Sequence, residues 1–242
     1  MTNEPTLLEF SRYAQRLLHA QPKLLEEVQR GHEPRWRVEQ MRAFVAAQGV
    51  RDEASLDCAL RALRQRVMLW LTTRDLLGHA ELPEVFATMT ALADVTLDIA
   101  QAQHHAWLAR RYGEPVGEEN HAALALLVVA MGKLGGGELN VSSDIDLIFV
   151  YAEEGSTRGN SSATPAAASI SNHEFFTLLG KRIIATLGST TADGFVFRVD
   201  MRLRPYGESG PLVASLAMLE EYFFTQARAW ERYAWAKARA VR

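Results

Sequence analysis

A single cysteine, Cys58, stands among 242 residues, so no intrachain disulfide can staple the fold. It lies in a helical pattern with no activating neighbours in view, which makes it a small core hydrophobe rather than a nucleophile. A lone thiol suits a reducing compartment. Also missing is any unbroken run of the ~20 apolar residues that a membrane-crossing helix needs. The opening MTNEPTLLEFSRYAQRLLHA is acidic early and has no apolar centre, unlike a secretion signal. A cytoplasmic protein without membrane contact is therefore expected. The formal net charge is −3, so no global basic field draws the chain to nucleic acid. Hydrophobic residues make up 48% and charged residues 23%, enough to fill a core in one large domain or two small ones.

Up to about residue 119 the chain reads as one helix after another. In TLLEFSRYAQRLL the apolar residues Leu7, Phe10, Ala14, Leu17 and Leu18 recur at helical spacing. A second helix, RWRVEQMRAFVAAQ, halts at Gly49. Ser55 is the expected N-cap of LDCALRALRQRVMLWLTTRDLLG, where Leu56, Leu60, Leu63, Val67, Trp70 and Leu71 form one stripe before Gly78. From Pro83 to Tyr112 the pattern repeats with Phe86, Met89, Leu92, Ala93 and Ile99, and Gly113 follows. Pro83 suits a first helical turn, where its missing N–H goes unnoticed. Residues 1–119 are thus expected to form a helical bundle segment without chemistry of its own. Arg61, Arg64, Arg66 and Arg74 belong on its solvated or salt-bridged face. His104 and His105 diverge by about 100° on a helix, which places them at the surface and not as a metal pair.

From residue 120 to 242 the texture differs. AALALLVVAM is short, apolar and bounded by polar residues and glycines, as a strand buried on both faces would be. DIDLIFVY reads as a second strand. Residues 153–171 are rich in Ser, Gly, Ala and Thr and predict a mobile surface loop. NHEFFTLLGKRIIATLG is a helix with Asn172 as its N-cap, and Asp193-Gly194 turns the chain into a third strand, FVFRVDMRLRP. The closing SLAMLEEYFFTQARAWERYAWAKARAVR predicts a helix to the last residue, one cut before any capping signal. Trp230, Tyr233 and Ala234 form its core stripe rather than a nucleic-acid patch.

The chemistry is concentrated between these strands. In GKLGGGELNVSSDIDLIFVY a glycine turn leads into Asp144 and Asp146, whose side chains are expected on one face of the strand with Ile145 behind them. Two carboxylates about 6–7 Å apart repel unless a cation sits between them, and a hard divalent cation suits oxygen ligands. A polar loop whose aspartates merely cap a turn accounts for the same string. In the third strand Phe195, Phe197, Val199, Met201 and Leu203 alternate with Arg198, Asp200, Arg202 and Arg204. A solvated face would read alike, yet three arginines about one aspartate also suit a site that grips metal and phosphate together. Asp144, Asp146 and Asp200 could hold Mg2+ ions, as in two-metal displacement at phosphorus. Ser142 and Ser143 could add donors, and glycines let phosphates approach the backbone. Lys133 could face phosphate or solvent. Neither a P-loop nor a dinucleotide fingerprint fits the spacing.

A glycine pair, Asp-x-Asp in a strand and a later strand aspartate together resemble the nucleotidyltransferase superfamily related to DNA polymerase β. GKLGGGELNVSSDIDLIFVY, FRVDMRLRPYGESGPLV and WERYAWAKARAV more closely resemble one of its families, the bifunctional glutamine synthetase adenylyltransferase/adenylyl-removing enzymes. The upstream RDLLG and ALAD are similar to its helical region, whereas residues 1–55 match only in texture. The resemblance implies an α+β fold: a helical segment, then a polymerase β-like domain with a small mixed sheet and a C-terminal helix. SGPLV with Pro211, and WERYA followed by Lys237, are more similar to the family's N-terminal, AMP-removing half. It implies phosphorolysis of the AMP–tyrosine bond of adenylylated glutamine synthetase, releasing ADP. Asp144, Asp146 and Asp200 would be catalytic and carry Mg2+; Arg202 and Arg204 would hold phosphate, and Gly135 and Gly136 would shape the nucleotide turn. The alternatives are ATP-dependent AMP transfer onto the same tyrosine and a docking fragment without catalysis. PII signalling protein is an implied partner of the full-length enzyme only.

Overall fold

In the computed structural model the chain is described at residues 10–30, 36–119, 121–158 and 169–241. Five helices come first: α1 Arg12–Ala20, α2 Lys23–Arg30, α3 Val38–Ala47, α4 Glu53–Leu76 and α5 Leu82–Tyr112. The α4 stripe packs as its spacing requires, with Leu56, Leu60, Leu63, Val67, Trp70 and Leu71 all buried. Gly49, Gly78 and Gly113 close their helices at positive φ, a conformation open to glycine without a Cβ clash. The helix starts differ from expectation. Asp52 caps α4, with Ser55 at N3 completing a reciprocal capping box. Phe10, outside α1, is exposed, and Leu7 lies outside the described residues.

Several side chains expected at the surface are inside, and the reverse. Arg61 is buried, donating to the carbonyls of Asp57, Ser189 and Gly194. Arg74 is buried against Glu84, while Arg66 pairs with Glu27. His104 is buried because Ala100, His104 and Leu108 recur every four residues along the inner face of α5. His105 is half-buried and bonds Glu114. Cys58 is exposed: two positions from Leu56 is about 200° around the helix, away from the core stripe.

Helix α5 has 31 residues and extends about 46 Å. Among the described residues it is the one helix long and apolar enough to cross a membrane by length and composition, contrary to expectation. Half of its most apolar window is buried inside the fold, where α5 packs against α3, α4 and α7.

The second half supplies a small mixed sheet. Strands β1 Glu114–Gly117, β2 Leu127–Ala130, β3 Ile145–Tyr151, β4 Gly155–Arg158, β5 Val199–Asp200, β6 Val213–Ser215 and β7 Arg239–Ala240 are joined with helices α6 Gly132–Gly135, α7 Asn172–Gly188, α8 Leu216–Thr225 and α9 Ala229–Ala234. Central β3 pairs antiparallel with β2 along one edge. Its other edge takes β5 at the start and β6 at the end, both parallel. Odd residues of β3 (Ile145, Leu147, Phe149) face the core built with α4, α5 and α7. Even residues Ile148 and Val150 face a smaller core under α8 and the segment 234–238. Gly180 lets α7 close on the sheet, since a Cβ there would stand 2.9 Å from the Phe149 ring.

Four expectations change here. The apolar run at 122–131 is a strand only from Leu127, which is itself exposed. The serine-rich segment contains β4, paired antiparallel with β1; residues 159–168 lie outside the described residues. Ser171, not Asn172, caps α7, and the buried Asn172 amide donates to Val116 O instead. The last stretch is not one helix: α8 and α9 lead through a short 3₁₀ turn into β7, which pairs with β2. Helix α9 buries none of its residues, so Trp230 and Tyr233 are exposed rather than a core stripe.

Candidate functional site

The start of β3 is where the sequence-predicted carboxylates come together. Asp146 projects from the face shared with Ile148, and parallel pairing sets Asp200 of β5 directly beside it in register. Asp144 lies one residue before the strand, so strand alternation does not set its direction. It is exposed and takes a charge-assisted hydrogen bond from Arg198 Nε, while Arg198 Nη2 holds Ser142 O at 2.9 Å. Asp200 is gripped by Arg202, whose Nε lies 2.8 Å from Oδ2 and whose backbone N–H lies 2.8 Å from Oδ1. Asp144, Arg198, Asp200, Arg202 and Arg204 line one open trough.

The electrostatics separate the three. Burial first, then the negative charges of Asp200 and Asp144, push the Asp146 carboxyl above the usual carboxylate range. Hydrogen bonds from Arg202 hold Asp200 below it. Asp146 is thus a crowded carboxylate whose burden the charges of Arg202 and Lys133 offset only in part, and its neighbours are hard oxygen donors of the kind Mg2+ takes. Among the described residues no three carboxylates are close enough to chelate one ion together. Arg198 and Arg202 engage the outer two.

The glycine turn supports this edge. Met131 N donates to Asp146 O at 2.9 Å, and the chain then winds through the single turn α6. Gly132, at φ +53, has room for no Cβ: one would sit 2.5 Å from Asp146 Oδ2. Gly135 has a different neighbour, because its Cβ would meet Lys237 O at 2.1 Å and Ala130 O at 2.7 Å. Gly136 is exposed beside the Lys237 side chain. Ser142 and Ser143 are ordered by Asn140, whose Oδ1 accepts from Ser142 N at 3.1 Å and from Ser143 Oγ at 2.8 Å. Lys133 donates to Ser143 Oγ at 3.3 Å, and its charge lowers the Asp146 carboxyl. Arg204 turns inward on its own loop, donating to Met201 O at 2.8 Å and Glu208 O at 3.2 Å.

Sequence reasoning passed over four contributors. Arg198 was one of a charged row with no reason to be singled out. Asn140 carried a readable signal, an Asx side chain two residues before a serine at a turn. Lys237, which pairs with Glu138, and Arg239, which bonds Asp94 through both carboxylate oxygens and reaches Leu134 O, brace the glycine turn from the far end of the chain. No local pattern announces them.

The profile of the family described as glutamate-ammonia ligase adenylyltransferase matches residues 5–242. A bifunctional glutamine synthetase adenylyltransferase/adenylyl-removing enzyme of Nitrosomonas eutropha is 51% identical over 241 residues, covering 98% of this chain and 25% of its own length. The protein of that name from Chromobacterium violaceum is 51% identical over 233 residues, 96% of this chain and 25% of its own. One from Burkholderia mallei is 58% identical over 189 residues, 78% and 20% respectively. The chain thus spans about a quarter of the length of these curated relatives.

Proposed function

This chain belongs to the glutamate-ammonia ligase adenylyltransferase family, and from that premise we propose that it removes AMP from the adenylylated tyrosine of glutamine synthetase by phosphorolysis. What carries the reading is the pairing of Asp146 with Asp200 on adjacent strands, with Asp144, Lys133 and two arginines around them. Inorganic phosphate attacks the AMP phosphorus, the bond from phosphorus to the tyrosine oxygen breaks, and the phosphate's proton passes to that oxygen. The products are ADP and unmodified tyrosine. A cytoplasmic setting goes with this reading.

Asp144, Asp146 and Asp200 do not converge on one ion among the described residues; Asp146 and Asp200, side by side in the β3–β5 register, would hold Mg2+, which when bound would supply charge neutralisation at the phosphoryl group. The chain's own residues do the rest. Arg198 and Arg202 carry forked guanidiniums at the trough, suited to the oxygens of phosphate and of the AMP group. Lys133 brings a further positive charge beside Asp146. Gly132 keeps the backbone clear of the Asp146 carboxylate. Such a transfer depends on positioning and electrostatics, with no covalent intermediate on Ser, Cys or His. Arg204 supports the loop that presents Asp200 and Arg202 rather than the phosphate itself.

The deciding assay incubates this chain with adenylylated glutamine synthetase, phosphate and Mg2+. Magnesium-dependent ADP supports the proposal. Consumption of ATP with pyrophosphate release, and no ADP from phosphate, replaces it with transfer in the opposite direction. No turnover of either kind, with binding to the synthetase retained, leaves a docking module.

A further inference from the structure

Between α1, α4 and the turn at 192–195 lies a half-open cavity. Tyr13, Arg16, Gln21, Arg64, Asp193 and Phe195 are among its walls. Gln65 ties the walls together, accepting from the Gln21 amide at 3.0 Å and donating to Asp193 O at 3.0 Å. Arg64 is the anomaly. It is half-buried, and its guanidinium carbon stacks 5.3 Å from the ring centroids of both Phe195 and Phe197. Its Nη1 is buried with no hydrogen-bond partner among the described residues. Among the described residues, the two buried arginines of this bundle have found oxygen: Arg61 three carbonyls, Arg74 a carboxylate. A guanidinium taken out of water beside aromatic rings calls for a negative partner, and the cavity leaves space for one.

We propose that this cavity binds a small oxyanion, a carboxylate or a phosphate, with Arg64 as its charged anchor and the Tyr13 hydroxyl beside it. Burial raises the Tyr13 hydroxyl's pKa, so that group stays a protonated donor. Asp193 is exposed on the rim and opposes the anion, which keeps binding weak. The site has a route to the trough. The Arg198 guanidinium carbon lies 5.9 Å from the same Phe195 ring, and Arg198 is the partner of Asp144. An anion on Arg64 relieves the repulsion between the two guanidiniums and is felt at Arg198.

The test titrates phosphate and acetate separately into the chain in chloride buffer, following the Arg64 Nε–Hε NMR signal and the thermal midpoint. The expected result is a saturable shift of that signal at millimolar ligand and a rise in midpoint. The midpoint rise should shrink in Arg64→Met for whichever ligand shifts the wild-type signal, phosphate held at the trough accounting for any remainder. Asp193→Asn should tighten binding at least two-fold, and Arg202→Gln should leave it in place. Response to acetate alone marks a carboxylate ligand, and response to phosphate alone a phosphate. No saturable shift of the Arg64 signal overturns the proposal, as does a midpoint rise undiminished in Arg64→Met or lost in Arg202→Gln. Should Arg64→Met fail to fold, the wild-type signal and Asp193→Asn decide between the same outcomes. None of these readouts depends on turnover, so the catalytic reading can fail while this site stands.

Discussion

Asp146 is half-buried beside the trough, with the charges of Asp200 and Asp144 acting on it. Replacing it with Asn removes that repulsion and the proposed metal ligand together. Asp146→Asn should lower magnesium-dependent ADP release at least about 100-fold, while the thermal midpoint holds or rises. A fall in midpoint with activity retained would show the carboxylate to be structural. Gly132 tests the same atom from the other side. Gly132→Ala introduces a Cβ at φ +53 and within 2.5 Å of Asp146 Oδ2. The backbone strain should cost about 1 kcal/mol in urea unfolding, and the displaced carboxylate should reduce turnover far more than stability. Equal, small effects on both would remove Gly132 from the site.

Among elements, β7 is the one whose absence from expectation matters most, because it packs the end of the chain against the glycine turn. Gly135→Ala would drive a Cβ into Lys237 O and Ala130 O, a clash between backbones that no rotamer relieves. It should cost about 2–3 kcal/mol and free β7. Hydrogen exchange at the Val241 amide, which bonds Val128 O at 2.9 Å, should accelerate sharply. The contact between α5 and α7 carries a pH signature. His104 Nε2 lies 2.9 Å from Thr186 Oγ1 in a buried site, and burial pushes its pKa from 6.5 down to about 4. The folded state therefore resists protonation that the unfolded chain accepts. Stability from this group is intact above pH 6.5 and is lost as pH falls towards 4. At pH 4.5 the loss should be roughly 2–3 kcal/mol, measured as the difference between wild type and His104→Gln in unfolding at pH 7 and 4.5. Identical pH dependence in the two proteins would refute it.

At the scale of the whole molecule, the helical segment and the sheet share one apolar core. It runs from Met41 and Leu60 through Leu92 to Phe149, Phe175 and Val213. Two layers bound this way should unfold together. Far-ultraviolet circular dichroism and tryptophan fluorescence are expected to give one coincident midpoint in urea. Two separated midpoints would mean that the bundle and the sheet are independent units. The shared core also accounts for the apolar character of α5, half of whose most apolar window is buried where the helix packs against α3, α4 and α7.

The sequence by itself determined the features written in short-range spacing. The α4 stripe and the buried strand after Asp144 follow from periodicities of 3.6 and 2, and the helix stops from glycine's access to positive φ, whereas the third strand expected over 195–205 forms only at Val199–Asp200. The tertiary structure decided whatever depends on a distant partner. Strand β4 exists because β1 lies beside it, and β7 because β2 offers an edge. Arg61 is buried because the carbonyls of residues 189 and 194 come to meet it. Asp146 faces Asp200 through a parallel register joining residues 54 positions apart. A hydrogen bond or a charge acts across space, and the local pattern of a chain encodes that only where folding has made distant residues neighbours.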